Sequence, residues 1–282
     1  KDTAMKQFIS SLEQGSLLQC SLFVLSVILI SGISIAYGQT KLKKEAMTTS
    51  QNISASPAPS ATYSKSSKKL PIYCVDTSDK KIALSFDAAW GNEDTKKIMD
   101  ILDKHKVHVT FFMTGGWVES YPDDVKMIAG HGHDLGNHSQ NHKQMSKLSL
   151  EECKQEIQSV HDKVKEITGK EMILFRPPYG DYNDTLITAT EECGYHAIQW
   201  DVDSLDWKDY GVDSIIKTVC EHKHLGNGSI ILCHNGAKYT ADALDTLITT
   251  LQEKGYEFVP ISQLIYPDST EIDTEGRQHP AR

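Results

Sequence analysis

The chain has 282 residues, 39% hydrophobic and 24% charged, enough apolar material for one large domain with appendages or two modest ones, which excludes a wholly disordered polymer. Its formal net charge of -9 argues against a phosphate-backbone partner, which needs a basic face, so no nucleic acid is expected. Six cysteines (20, 74, 153, 193, 220, 233) form no C-x-x-C pair and no zinc-ribbon spacing; Cys20 and Cys233 lie in apolar runs and read as buried small hydrophobes.

After a short segment, 1–15, residues 16–37 read SLLQCSLFVLSVILISGISIAY and carry no charge. At about 1.5 Å per residue this run reaches roughly 33 Å, enough to cross a bilayer core of about 30 Å. It predicts a single-pass signal anchor in the cell membrane, with the rest of the chain extracytoplasmic. A cleaved signal peptide ending at AYG, before Gln39, is the alternative and would make the protein secreted. Lysines flank the run on both sides, so charge bias does not fix its orientation. Residues 38–70 are rich in Ser, Thr, Ala and Lys, with almost no large apolar side chains, and read as a disordered tether. Residues 71–267 form the predicted domain, and 268–282 a polar C-terminal tail.

Within the domain short apolar runs alternate with amphipathic stretches. The strand candidates are KIALSFD (81–87), VHVTFFMT (107–114), HDLGNH (133–138), MILFRP (172–177), HAIQWDV (196–202), GSIILCH (228–234) and YEFVPI (256–261). Between most of them, apolar residues recur at three- and four-residue spacing, as in LEECKQEIQSVHDKVKEITG. Repeated strand–helix units imply parallel pairing and right-handed crossovers. Seven strands in under 200 residues predict a distorted (β/α)7 barrel, with an open doubly wound sheet as the second choice.

In a parallel barrel the C-terminal strand ends converge on one mouth. In order they carry Asp87, His138 and His142, Arg176, then Asp201, Asp203 and Asp206, then His234. Nearly every strand contributes an ionisable group, and that convergence points to a site. Singly, each residue has a plainer reading. Asp87 alone is equally an Asx-turn or cap residue. HSQNH places imidazoles at i and i+4, adjacent on one face of a helical turn and able to share a metal, but two surface histidines fit as well. Arg176 needs a carboxylate partner if drawn into the mouth, which a structural ion pair would also supply. The acids of WDVDSLDW include loop or capping residues, and His234 alone reads as a buried, satisfied histidine.

Taken together, SFDAAW, HSQNH, RPPYG, the Asp206–Trp207 pair and ILCH resemble, in order, the five segments of the NodB-type polysaccharide deacetylases, carbohydrate esterase family four. The opening PIYCVDTSDKKIALSFDAAWG looks closest to its PdaB-type, sporulation-associated branch. The resemblance covers about residues 71–266. It implies a metal-dependent hydrolase that removes N-acetyl groups from N-acetylglucosamine or N-acetylmuramic acid in peptidoglycan or chitin-like polymers. It implies that His138 and His142 bind a divalent metal, usually Zn2+ with Co2+ as a substitute, and that Asp87 is the general base, oriented by Arg176. It further implies that His234 is the general acid, tuned by Asp206, that Trp207 and Leu232 line the acetyl pocket, and that the Tyr179 amide meets the oxyanion. One position departs: where the family carries a second aspartate as metal ligand, this chain has Ala88. Water, Asp87 itself or loss of the metal are the open outcomes, and the last would leave a non-catalytic glycan-binding or structural protein. A hydrolase of a non-glycan amide is a third reading.

Overall fold

The run KIALSFDA is buried at its last seven positions, on both faces, as a central strand of a parallel sheet must be. The computed structural model in which this is seen describes residues 68–267 and 271–280. The predicted membrane span at 16–37, and the tether at 38–70 except its last three residues, lie outside the described residues. Among those described, no helix is long and apolar enough to cross a membrane.

In chain order the first elements are β1 (Cys74–Val75), β2 (Lys81–Ala88), α1 (Thr95–His105), β3 (Thr110–Met113), α2 (Gly115–Ser120), α3 (Pro122–Gly130) and β4 (Asp134–Asn137). There follow α4 (Leu150–Thr168), β5 (Leu174–Phe175), α5 (Asp184–Glu192), β6 (His196–Ala197), β7 (Val202–Asp203) and α6 (Val212–Cys220). The chain continues through β8 (Ile230–Asn235), α7 (Thr240–Glu253), β9 (Glu257–Phe258), α8 (Ile261–Leu264), β10 (Glu271–Ile272) and β11 (Arg277–His279). The main sheet runs β6-β5-β4-β3-β2-β8-β7, with β9 added beside the start of β2, and every pair in it is parallel. This is the expected parallel α/β architecture, curled into a half-barrel.

Strand periodicity sorts the side chains. Ile82, Leu84, Phe86 and Ala88 of β2 join Ile98 and Leu102 of α1, Ile157 of α4 and Leu244 of α7 in the helix-facing core. Ala83 of β2, Phe112 of β3 and Ile230 of β8 form an inner cluster with Leu174 and Ile198. The longest helix, α4, is bounded by a reciprocal Ser149–Glu152 capping box and by Gly169 in the left-handed conformation.

Two expectations are corrected here. HAIQWDV is not one strand: β6 and β7 stand at opposite ends of the sheet path. Between them the Gln199 N–H donates to the Ile72 carbonyl and the Asp201 N–H to that of Ile230, so the backbone changes partner within three residues. Alternating hydrophobicity reads the same through such a change of partner. The sheet is therefore open between β6 and β7, and Ile72 and Cys74 bridge part of the seam to Ile198 and Ser229. The second correction is the tail. Residues 271–280 pair as β10 and β11, with β11 parallel to β1, and Gln278 and His279 are buried. Polar residues enter the interior there because each is satisfied: Gln278 exchanges side-chain hydrogen bonds with the Tyr266 backbone, and His279 bridges Asp76 (2.8 Å) and Asp273 (3.0 Å). All five described cysteines are free thiols.

Burial opposes protonation of His279, but hydrogen bonds and charge from Asp273 and Asp76 outweigh it and raise its pKa. A raised folded-state value gives stability that is fully present below the unfolded value of about 6.5 and is lost as pH rises through the folded value. Urea denaturation should therefore show the parent losing stability as pH rises above about 6.5. His279→Gln should be weaker by about 1–2 kcal/mol at pH 6 and show a smaller pH dependence; an unchanged midpoint at pH 6 would show that the bridge contributes nothing.

Candidate active site

Register places the first two groups. Asp87 on β2 lies opposite His234 on β8 and opposite Phe112 on β3, and all three side chains project to the inner side. Arg176, just after β5, is fully buried; its Nη1 donates to Asp87 Oδ1 at 2.8 Å and its Nη2 to the Gln199 carbonyl at 3.2 Å. Its guanidinium lies 4.1 Å from the centroid of the Phe112 ring, which covers its face. Burial alone would push the Asp87 carboxyl up; the charge and hydrogen bond of Arg176, with the charge of His234, outweigh it and hold the group below the ordinary carboxylate value.

His138 follows β4 and is buried. Its Nδ1 lies 2.7 Å from the Arg176 carbonyl, which can only accept, so Nδ1 carries the proton. Burial lowers its pKa to about 4, leaving a neutral ring. Its Nε2 then turns a lone pair toward Asp87 Oδ2, 3.5 Å away. Two acceptors facing one another with no hydrogen between them is an arrangement a cation relieves. The His142 ring meets His138 edge to face at 4.9 Å between centroids, and burial lowers its pKa too. The juxtaposition is not helical, as the i, i+4 spacing suggested: Ser139 (φ 65°) and His142 (φ 51°) are left-handed, and a loop brings the rings together. Two neutral imidazoles and the Asp87 carboxylate thus suit a borderline divalent cation chemically. Among the described residues, however, no three His, Cys, Asp or Glu side chains form a group that could hold a metal ion. Ala88 offers no help, since it is fully buried in the helix-facing apolar cluster.

Across the cleft, Asp206 is buried and fully engaged. It accepts from His234 Nδ1 (2.7 Å), the His234 backbone N–H (2.6 Å) and the Thr240 hydroxyl (2.6 Å). Burial opposes charge on His234, but the hydrogen bond and charge of Asp206 prevail and raise its pKa. The other two acids of WDVDSLDW serve the backbone: Asp203 accepts from the Leu205 N–H, and Asp201 from the Ile230 N–H and the Ser229 hydroxyl.

The resulting cleft, about 440 Å³, is lined by Asp87, His138, His142, Tyr179, Trp207, Leu232 and His234 together with Trp90, Trp200 and Asp203. That volume is in the range of small-ligand sites, roughly 300–1,000 Å³. Leu232 is buried at its floor, while Tyr179 (φ 61°) and Trp207 stand exposed at its rim. Of the residues singled out in the sequence, Arg176 and Asp206 do not line the cleft but each contacts a residue that does, while Asp201 and Ala88 lie outside its lining. Sequence reasoning assigned nothing to Trp90, which stacks on His234 at 5.8 Å between centroids, or to Thr240. An exposed tryptophan three residues after an inward aspartate was a usable signal; Thr240 opens a helix far along the chain and offered none.

Comparison with known proteins agrees with this geometry. The polysaccharide deacetylase family model matches residues 75–198. The peptidoglycan-N-acetylmuramic acid deacetylase PdaA of Bacillus subtilis is 36% identical over 69% of this chain and 74% of its own. An uncharacterized 30.6 kDa protein of Geobacillus stearothermophilus is 41% identical over 68% of this chain and 74% of its own. Among solved structures, a CE4 family pseudoenzyme from Bacillus anthracis superposes with a TM-score of 0.66 at 34% identity, over 74% of this chain and 73% of its own. The chain belongs to the polysaccharide deacetylase family, carbohydrate esterase family four.

Proposed function

We propose that the cleft removes N-acetyl groups from N-acetylglucosamine or N-acetylmuramic acid residues of a cell-wall or chitin-like glycan. One observation carries this reading. Asp87 and His234 stand in register on adjacent strands, and their surroundings drive them apart, the first toward carboxylate and the second toward imidazolium. Titratable pairs pushed in opposite directions identify base and acid.

In this scheme ionised Asp87 takes a proton from water as the water oxygen adds to the acetyl carbonyl carbon. His234, held through Nδ1 by Asp206, presents Nε2–H to the amide nitrogen. As the C–N bond breaks, that proton moves to the departing amine and acetate is released. Arg176 keeps Asp87 charged and aimed. The Tyr179 main-chain N–H is assigned to the developing oxyanion, and Trp207 and Leu232 to the walls around the acetyl methyl. His138 and His142 would hold a divalent cation, Zn2+ or Co2+, which would polarise the carbonyl and acidify the water. The uncharged run at 16–37 supports placing the enzyme outside the cell, anchored in the membrane or secreted after cleavage, where it meets polymeric substrate.

Ala88 and the pseudoenzyme neighbour favour a second reading, a barrel that binds glycan without cleaving it. Acetate release decides between them. With Zn2+ or Co2+ supplied, N-acetylglucosamine oligomers or peptidoglycan should yield acetate, and chelation should abolish it. Asp87→Asn and His234→Ala should each lower kcat by about 10²–10⁴-fold with folding intact. No acetate from folded parent under any condition would establish the second reading.

The pH profile tests the acid separately. Because His234 acts protonated and Asp206 raises its pKa, Asp206→Asn should lower that pKa and bring the alkaline fall in kcat/KM to lower pH. An alkaline limb that does not move would remove His234 from the role of acid.

A further inference from the structure

The seam between β6 and β7 opens onto a second cavity of about 740 Å³, larger than the cleft. The two are neighbours: Trp200 and Asp203 line both. The far wall comes from elements that the catalytic scheme does not use. Tyr73 precedes β1, His224 lies in the loop before β8, and Glu275 and Arg277 belong to the β10–β11 turn and strand.

This wall is built rather than incidental. The Tyr73 ring is held at its hydroxyl by that of Tyr182, 3.1 Å away, and against its face by the backbone of Gly276. Gly276 has φ +81°, and a Cβ there would fall 2.3 Å from the Tyr73 ring, so only glycine lets the turn approach so closely. Arg277 donates to the Val75 carbonyl at 3.4 Å and, among the described residues, has no carboxylate within ion-pair distance.

The lining chemistry selects an occupant. A purely apolar wall would suit lipid, and charges of one sign would suit an ion. Here the rings of Tyr73 and Trp200 share the lining with the acids Asp203 and Glu275 and the bases Lys223 and Arg277. That combination suits a polyhydroxylated ring, whose C–H face stacks on an aromatic surface while its hydroxyls both donate and accept.

We propose that this cavity is a sugar-binding extension of the cleft: the glycan passes Trp200 and Asp203 and seats the sugar next to the reacting one against Tyr73 and the β10–β11 turn. The proposal rests on the cleft being a glycan deacetylase site. It makes the C-terminal strands, polar in sequence, part of the substrate surface.

The test compares N-acetylglucosamine dimer and tetramer on the metal-supplied full chain. Parent protein should prefer the tetramer by tenfold or more in kcat/KM. Glu275→Trp, which fills the cavity from an exposed turn, and Tyr73→Ala should each cut that preference at least fivefold. A ratio is used because a poorly folded variant loses both rates together. Tetramer binding by the parent, followed by tryptophan fluorescence and compared with Glu275→Trp, gives a readout that needs no catalysis. If the preference and the binding are the same in parent and variants, this proposal is overturned while the deacetylase stands. If no substrate yields acetate yet tetramer binding weakens in Glu275→Trp, the deacetylase reading fails and the sugar site survives.

Discussion

A buried ion pair, Asp87 with Arg176, constrains everything around it. Desolvating two charges costs several kcal/mol each, and their attraction offsets that only with good geometry and further hydrogen bonds. Arg176 meets this condition at two of its three nitrogens, with Asp87 on one and the Gln199 carbonyl on another and the Phe112 ring beneath, while Nε has no partner among the described residues. Its backbone does a second task, since the Arg176 carbonyl fixes His138 through Nδ1. One residue therefore holds Asp87 charged with its side chain and sets the tautomer of the facing histidine with its main chain. Pro177 and Pro178 follow it directly, and their fixed φ limits how far that carbonyl can turn.

The opposite wall solves a mirror-image problem. There the buried carboxylate, Asp206, receives three donors, and the imidazole it holds is pushed toward the charged form. His138 and His234 are both largely buried histidines near carboxylates, yet they diverge. His234 gives its Nδ1 proton to a carboxylate, whereas His138 gives its own to a neutral carbonyl. The identity of that second acceptor, more than burial, separates a neutral ring from a protonated one. Left-handed Ser139, His142, Tyr179 and Leu205 lie in the loops that carry these walls, where backbone strain of the kind found at functional sites is concentrated.

Much of this was legible in the sequence, for a physical reason. Side chains at the C-terminal ends of parallel strands must share a mouth, so strand order needed no knowledge of the sheet path to group Asp87, His138, Arg176, Asp206 and His234. What stayed hidden depended on contacts between segments distant in the chain. HAIQWDV alternates correctly for one strand, and only the Ile72 segment inserted at its middle divides it. HSQNH has helical spacing, but its bonds run to Asn137 and the β4–β5 region rather than along a helix. Gln278 and His279 look like tail residues because their partners, Tyr266, Asp76 and Asp273, are what make burial tolerable.

The difference at Ala88 falls on the helix-facing side of β2 rather than in the lining of the cleft. The inner floor carries one carboxylate, Asp87, and Arg176 already neutralises it at 2.8 Å. His138 is neutral, so these three groups sum to about zero charge. With no net charge there, affinity for a divalent cation would rest on the imidazole nitrogens more than on Coulomb attraction. The strand explains why the difference is tolerated in the fold. Ala88 packs against helices with Ile98 and Trp117, so a methyl group fits where an acid would need a charge partner of its own.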